Sequence, residues 1–397
     1  MNFQEELAYR FKSQADFAKT YSPLYSTLFS TVEGWLESTA EEPNLVATWL
    51  LETSQSRNPF DVTLLLMAGL HEAVLANHAG AAELAQFYPT ANGHRTYSDP
   101  QLPNILETAI LNLKDHLAHV IHTATVQTNE TGRGSSWLLP LAFTRWPEVE
   151  LLDLGASAGL NLVAEQRRFD FHAKESGEHL LKLGQAVNTQ MVIETQGELA
   201  PLKALNRSYK LPHISSRLGV DLLPFPVKSN SDATRLTSYV WADQPERVER
   251  LSQALAILQD VQQSAAPVQL DAVNLPGELS AFLKKLAPST APLLIYNTYI
   301  TQYFKNDRPQ LRTAIEAWAA DQNRPVLWVQ WEPHVDWMQQ PEAKSSAIKA
   351  EEYGWCAWTA DLWKNGEHHQ FHLGWVHPHG LKARFLPGLK DWADFWS

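Results

Sequence analysis

The first 145 residues carry apolar positions at the spacing of α-helices. Between residues 100 and 125 an apolar residue recurs every four positions, which places these side chains on one face of a helix. They are Ile105, Ala109, Leu113, Leu117 and Ile121. Residues 62–76 are apolar nearly all round and predict a helix in the middle of a helical layer. The pattern therefore predicts an all-helical domain over residues 1–145.

From Glu148 the pattern changes to short apolar runs separated by helical stretches, which is typical of a parallel α/β sheet. The predicted strands lie at about 149–154, 214–221, 267–271, 292–298 and 325–332. The predicted helices lie at about 159–168, 244–260, 276–286 and 308–320. Residues 353–363 and 368–376 flank Asn365-Gly366, a dipeptide that suits the type I′ turn of a β-hairpin. We predict a mostly parallel sheet over residues 146–397, with an antiparallel hairpin that closes the chain.

Composition narrows the class of protein. With 44% hydrophobic and 19% charged residues, the 397-residue chain can bury a large core and is unlike a disordered protein. A single cysteine, Cys356, excludes an intrachain disulfide and fits a reducing compartment. The longest apolar run ends at His71, well short of the roughly 18 residues of a membrane span. The acidic start is unlike a signal peptide, so we predict a cytoplasmic protein without membrane contact.

Charge argues against a nucleic-acid partner. The formal net charge of −12 and the scattered basic residues argue against nucleic-acid binding, which depends on Lys and Arg displacing counterions. Five histidines fall within residues 368–379, but no carboxylates converge with them in the sequence, so no metal site is predicted.

The most informative segment is residues 151–162 (LLDLGASAGLNL), an apolar strand that enters a turn of small residues and then a helix. A strand-ending acid before Gly-x-x-x-Gly lets the backbone approach a ligand closely. The segment resembles motif one of class I S-adenosylmethionine-dependent methyltransferases. The resemblance implies a Rossmann-like, methyltransferase-type fold with S-adenosylmethionine as cofactor. The cofactor-binding residues would be Asp153, which orients the amino group, and Gly155, Ser157, Gly159 and Asn161 on the turn.

The same turn allows a second chemistry. Residues 155–159 (GASAG) match the G-x-S-x-G nucleophile elbow of α/β-hydrolases, with Ser157 as the nucleophile. In that fold several strands precede the elbow, whereas the preceding 145 residues have a helical pattern. We therefore favour the methyltransferase interpretation, although Ser157 stands where that family usually has glycine. A non-catalytic ligand-binding protein with a glycine-rich turn is the third interpretation.

Two later strand-end acids extend the adenosyl interpretation. Asp221 ends a predicted strand, as an acid that binds a ribose diol should. It lies 66 residues after Gly155 (221 minus 155), so an insertion across about 169–212 is required. Glu194 follows another apolar run and competes for the ribose role. Asp271 resembles the acid that meets the adenine amino group at the end of the third methyltransferase strand.

Polar and aromatic residues end the predicted strand 292–298. Open α/β sheets bind ligands at the carboxyl ends of their strands. Asn297 would position the methyl acceptor there, while Tyr296 and its neighbour Tyr299 would wall the sulfonium, a cation that aromatic faces attract.

A polar loop at residues 126–133 joins the two halves, and clefts between domains are favoured ligand sites. Asn129 and Glu130 would position the acceptor. Glu130 with Arg133 would alternatively bind a carboxylate or amino-acid-like group. Glu130 or His334 would accept the proton of the acceptor.

Several segments together are similar to one bacterial family. They are residues 22–25, 87–89, 127–130 with Arg133, 155–162, 219–221 with Pro224, 241–250 and 379–380. The family is the bacterial domain-of-unknown-function family numbered twenty-three thirty-two, and the similarity covers nearly the whole chain. It implies no activity. This sequence has Pro226 where the family tends to have an acid.

The combined prediction is a helical domain at residues 1–145 followed by a Rossmann-like methyltransferase-type domain at residues 146–397. The reaction would be in-line methyl transfer to a small-molecule acceptor bound between the domains, and such transfer depends mainly on alignment. The alternatives are a serine hydrolase and a non-catalytic binding protein.

Overall fold

The computed structural model describes residues 2–38, 43–127, 130–186, 190–206, 209–333 and 355–397. The chain divides into two compact units, Met1–Asn129 with Val227–Ser252, and Glu130–Pro226 with Gln253–Ser397. The first unit is helical and the second contains the sheet. Residues 130–145, which the sequence pattern groups with the helical half, lie in the second unit.

The α-helices lie in both units. In chain order they are α1 (Phe3–Ala18), α2 (Pro23–Leu36), α3 (Leu45–Ser54), α4 (Pro59–Leu75), α5 (Leu102–Asn112), α6 (Lys114–Thr123), α7 (Ser135–Phe143), α8 (Ala200–Leu205), α9 (Asn230–Ser238), α10 (Pro245–Val261), α11 (Leu279–Leu283), α12 (Arg308–Ala320) and α13 (Pro387–Phe395). No helix in the described part of the chain combines the length and the apolar character needed to cross a bilayer.

The helices of the first unit begin where the sequence supplies capping side chains. Asn2, Ser22, Asn44 and Asn58 accept backbone N–H groups at the starts of α1 to α4, which satisfies donors that have no partner inside the helix. Helix α4 is buried on nearly every side, as its apolar pattern predicts. The predicted long helix after residue 100 is divided into α5 and α6 at Leu113.

The strands form one sheet. They are β1 (Glu148–Leu154), β2 (Arg168–Ala173), β3 (His179–Leu183), β4 (Gln190–Gly197), β5 (His213–Asp221), β6 (Val268–Ala272), β7 (Leu293–Thr298), β8 (Val326–Glu332), β9 (Cys356–Lys364), β10 (Glu367–Val376) and β11 (Lys382–Phe385). Their spatial order is β3-β2-β4-β11-β10-β9-β8-β7-β1-β5-β6. The predicted α/β class is thus confirmed, as a mostly parallel sheet after a helical region.

The strands β6, β5, β1, β7 and β8 are parallel neighbours, and they correspond closely to the five predicted strands. In chain order these five have the arrangement 3-2-1-4-5, which doubly wound sheets use. Strands β7 and β8 are buried along their whole length, because helices cover both faces of such a sheet. The predicted helix at 159–168 is a 3-10 helix, Leu160–Gln166.

The remaining strands widen the sheet on the far side of β8. The predicted hairpin is β9 and β10, and both turn residues, Asn365 and Gly366, have the positive φ of a type I′ turn. The hairpin does not close the chain, so that prediction is wrong. Strand β11 follows and pairs with β4, and α13 ends the chain. The predicted insertion contains β2, β3, β4 and α8.

Candidate functional site

The candidate site lies at one edge of the sheet in the second unit. The carboxyl ends of β1, β5, β6, β7 and β8 meet there because these strands are parallel. Strand β10 runs antiparallel to β9, which runs antiparallel to β8. The segment after β10 therefore reaches the same edge, which is the edge where open α/β sheets bind ligands.

The turn after β1 is built from left-handed backbone. Gly155, Ser157 and Gly159 have φ values of 90°, 50° and 75°. The N–H groups of Gly155 and Ala156 donate to the carbonyl oxygen of Val220 at 2.8 and 3.0 Å, so the turn bends over the end of β5. Glycine is the residue that adopts this conformation without strain, which explains two of the three positions.

Two carboxylates converge on this turn. Asp221 accepts the N–H of Ser157 at 2.8 Å and the N–H of Leu223 at 3.2 Å. Asp153 is 4% exposed and lies opposite Tyr296 in the pairing of β1 with β7. Burial raises the pKa of Asp153 to about 8, the Tyr296 hydroxyl opposes the rise, and the Asp221 carboxylate adds to it. A cationic group bound at this turn would stabilise the ionised form of both acids.

Ile300 covers the turn. A Cβ on Gly155 would overlap the Cγ2 methyl of Ile300. Ile300 has little room to retreat, because its N–H donates to the Oε1 atom of Glu332 at 3.2 Å. The loop after β7 thus holds the turn after β1 in place.

Substitution of Gly155 by alanine should destabilise the protein by about 3 kcal/mol, from left-handed strain plus the overlap with Ile300. Gly366→Ala is the matched control, because Gly366 also has positive φ but no atom within 4 Å of an added Cβ. It should cost about 1 kcal/mol. Urea unfolding of both variants measures the difference, and the double variant Gly155→Ala with Ile300→Ala should recover part of the loss. Equal costs at the two glycines would contradict the packing argument.

Glu332 organises the end of β7. Its buried carboxylate accepts Asn297 Nδ2 at 2.6 Å, the N–H of Ile300, and both the N–H and hydroxyl of Thr301, at 3.0 and 2.7 Å. Burial raises the pKa of Glu332, and these four donors oppose the rise. Asn297 Oδ1 in turn accepts Trp328 Nε1 at 2.7 Å. Asn297 is fully buried, and both ends of its amide are bonded inside the fold.

The acids around the Gly155 turn, Asp153, Asp221 and Glu332, form a first polar cluster. A second polar cluster contains Glu130, Arg133 and His379. Glu130 is buried, and its Oε2 atom accepts His379 Nδ1 at 2.9 Å. Arg133 donates from Nε to the carbonyl oxygen of Pro378 at 3.0 Å, and its guanidinium lies 4.8 Å from the ring centre of Tyr299. Burial lowers the pKa of His377 to about 4. The 3-10 helix at Thr131–Gly134 therefore contacts the segment after β10 and the loop after β7.

Asn161 connects the two clusters. Its backbone oxygen accepts Trp137 Nε1 at 2.9 Å, and its side-chain Nδ2 donates to the backbone oxygen of Glu130 at 3.3 Å. Arg167 donates to the backbone oxygen of Thr131 at 2.5 Å and to Asn161 Oδ1 at 3.4 Å. The turn after β1 and the Thr131–Gly134 helix are thus held as neighbours.

Other predicted site residues fall in different places. Asp271 lies one residue before the end of β6, opposite Val220 of β5, and is exposed. Glu194 lies on β4, which five strands separate from β1, so it is remote from the turn and Asp221 alone of the two acids contacts it. Asn129 and His334 lie outside the described residues. In the described ranges, no group of three or more His, Cys, Asp or Glu side chains is placed to hold a metal ion.

Comparison with known families gives the lineage of the chain. A family model matches residues 8–384. The chain belongs to the DUF2332 family, described as uncharacterized proteins conserved in bacteria. Comparisons with curated proteins and with solved structures found no match. The match confirms the family resemblance seen in the sequence, and both polar clusters of this DUF2332 chain lie within the matched range.

Sequence reasoning missed the roles of Glu332 and Arg167 in this DUF2332 protein, and it found His379 only as part of a family segment, without its partner. Glu332 was visible only as a strand-end acid, and Arg167 as one member of a basic pair. His379 lies 249 residues from its partner Glu130, so no local pattern joins them. The signal that could have found these residues is their place in the chain. All three lie at strand ends or in connections that reach the edge formed by the carboxyl ends of the parallel strands.

Proposed function

We propose that this chain is an S-adenosylmethionine-dependent methyltransferase that acts on a small-molecule acceptor. The observation that carries the proposal is the pair of carboxylates, Asp153 and Asp221, at a left-handed glycine turn after the central parallel strand. S-adenosylmethionine supplies an electrophilic methyl group on a sulfonium cation and carries a cationic amino group. An acid-lined turn fits such a ligand, because opposite charges stabilise each other in a buried site.

Charge also separates this proposal from its competitors. The phosphates of a nucleotide or dinucleotide would face Asp153 and Asp221 and be repelled. A serine hydrolase must stabilise a developing oxyanion near its nucleophile. Here the N–H of Ser157 is already donated to the Asp221 carboxylate at 2.8 Å, a negative group beside the proposed nucleophile. The strand order 3-2-1-4-5 adds support, since ligands of doubly wound sheets bind where strand order reverses, next to β1.

The protein groups have separate roles in this proposal. Asp153 binds the cationic amino group, and Tyr296 lies beside Asp153 on the neighbouring strand. Glu130 orients His379 through the Nδ1 atom, so that the ring serves as proton acceptor for the methyl acceptor. Asn297 and Glu332 position the loop that covers Gly155. Alignment of the acceptor supplies most of the rate in such a displacement.

The affinity for S-adenosylmethionine should depend on pH through Asp153. With a pKa of about 8, Asp153 is mostly protonated at neutral pH in the free protein, whereas a bound cation favours its ionised form. Binding then releases a proton, so affinity rises with pH by up to about tenfold per unit and levels off above about pH 8. Calorimetry on wild type and Asp153→Asn isolates this effect, because ionisation of the ligand is common to both. A wild-type-to-variant affinity ratio that stays constant or falls with pH would contradict it.

Methyl transfer itself is tested with S-adenosylmethionine labelled on the methyl group. The labelled cofactor is incubated with the protein and a bacterial small-molecule extract, and the label is followed by chromatography. Transfer into a new compound by wild type, with loss in Asp153→Asn, supports the proposal. Hydrolysis of simple esters that Ser157→Ala abolishes, without any transfer of label, would replace it with the hydrolase function.

A further inference from the structure

Arg133 differs from the other buried arginines of the second unit. The others, each at most 8% exposed, use at least one terminal Nη group on a protein oxygen. They are Arg167 with Thr131, Arg217 with Glu165, Arg312 with Asp361, and Arg324 with Glu150. Burial of a guanidinium without such partners is costly. Arg133 is also 8% exposed, yet in the described part of the chain its Nε group alone is bonded, to Pro378.

Arg133 is held in a fixed orientation. Its Nε group donates to the Pro378 carbonyl oxygen at 3.0 Å, and its Cζ atom lies over the Tyr299 ring, 4.8 Å from the ring centre. Among the described residues no carboxylate lies within ion-pair distance of it, and neither Nη group has a hydrogen-bond partner there. The outer edge of the guanidinium presents two parallel N–H groups, the arrangement that binds a carboxylate at both oxygens.

We infer that Arg133, whose guanidinium lies over the Tyr299 ring, binds a carboxylate group of the methyl acceptor. That the ligand is a methyl acceptor rests on the proposed function, whereas the carboxylate site rests on the geometry of Arg133 alone. The acceptor is accordingly a small monocarboxylic acid with a separate nucleophilic group that reaches the edge of the sheet.

The surrounding charges favour a single negative charge on the ligand. Glu130 lies three residues before Arg133 in the chain. The Glu332 carboxylate also lies near Arg133, because the charges of both groups influence the pKa of the Cys356 thiol. One guanidinium balances one carboxylate. A phosphate dianion would bring a second negative charge towards Glu130 and Glu332, so phosphate binds more weakly than carboxylate.

The position of Arg133 suits this role. It belongs to the Thr131–Gly134 helix, whose first residue is preceded by Glu130, the partner of His379. Tyr299 is the first residue after β7. Its neighbour Ile300 covers the Gly155 turn. A carboxylate on Arg133 therefore binds next to the segment that carries His379 and next to the loop that covers the Gly155 turn.

The test uses the full chain with arginine labelled at Cζ and Nη, observed by NMR during titration with benzoate at constant ionic strength. Benzamide is the neutral control of the same shape, and inorganic phosphate is the alternative anion. Loss of one resonance in Arg133→Lys assigns the Arg133 signal. We expect benzoate to shift that signal saturably, benzamide to leave it unchanged, and phosphate to bind more weakly. An unchanged signal, an equal response to benzamide, or tighter binding of phosphate would overturn the inference.

Thermal unfolding provides a second measurement. Benzoate should raise the melting temperature of wild type and of the control Arg145→Met, which removes an exposed arginine, but not that of Arg133→Met. Arg133→Lys keeps the positive charge but lacks the two parallel N–H groups of the guanidinium. It should bind benzoate roughly tenfold more weakly than wild type. All titrations are run without S-adenosylmethionine. If benzoate binds at Arg133 but S-adenosylmethionine does not bind the protein, the carboxylate site stands and the methyltransferase proposal fails. If S-adenosylmethionine binds but benzoate does not bind at Arg133, the methyltransferase proposal stands and the carboxylate site fails.

Discussion

Replacement of Asp153 by asparagine should weaken S-adenosylmethionine binding about a hundredfold at pH 8, because it removes a buried negative charge from the cation site. Asparagine keeps the shape of the side chain and its contact with Tyr296, so the fold should survive. Near its pKa of about 8 a large share of the wild-type carboxylate is already ionised, so the difference from the variant is larger there than at neutral pH. Calorimetric titration of both proteins measures the change.

Asp260→Asn is the matched control for this substitution. Asp260 is exposed near the end of α10, before the amino end of β6 and thus away from the proposed cation site. Its loss should leave the affinity for S-adenosylmethionine unchanged. Similar affinity in wild type and Asp153→Asn would show that Asp153 does not bind the cation, whatever the fold of the domain.

Replacement of Glu332 by glutamine should destabilise the protein by about 3 kcal/mol. Each carboxylate oxygen of Glu332 accepts two donors, and at least one of each pair is a backbone N–H, so the amide NH2 of glutamine faces a backbone donor in either orientation. The loop that carries Ile300 then loosens its hold on the Gly155 turn. We expect a lower midpoint in urea unfolding and a weaker affinity for S-adenosylmethionine.

Glu316→Gln provides the comparison. Glu316 is 42% exposed and pairs with Arg312 one helical turn away, an interaction worth roughly 0.5 kcal/mol or less. A Glu332→Gln variant as stable as Glu316→Gln would mean that the four hydrogen bonds of Glu332 do not hold the loop.

The strands that the sequence predicts well are those with a one-dimensional signal. Strands β7 and β8 are continuous apolar runs, because helices cover both of their faces, and such runs are visible without knowledge of their partners. The turn at Asn365-Gly366 was equally local, since both residues must adopt positive φ.

Pairings between distant segments left no such signal. Strand β11 has four residues and finds its partner, β4, 188 residues earlier in the register of Lys382 with Glu194 (382 minus 194). So short a run has too few positions to show a period. The helix α13 after it buries Leu389 and Trp392, a pattern equally brief. The chain end was therefore predicted as a hairpin alone.

The candidate site shows the same division. The turn at Gly155 was predicted because glycine spacing and a strand-end acid are local features. The hydrogen bonds of the Asn297 side chain were not predicted, because its partners Glu332 and Trp328 come from another strand. An amide at a strand end has the same sequence signature whether it faces a ligand or the core. Only the three-dimensional contacts distinguish a positioning role from ligand binding.

The most direct test of the central claim is calorimetric titration of wild-type protein at pH 8 with S-adenosylmethionine, S-adenosylhomocysteine and ATP. The account predicts binding of both adenosyl amino acids and no binding of ATP, because Asp153 and Asp221 attract cations and repel phosphates. Failure of both adenosyl compounds to bind, or comparable binding of ATP, would contradict it.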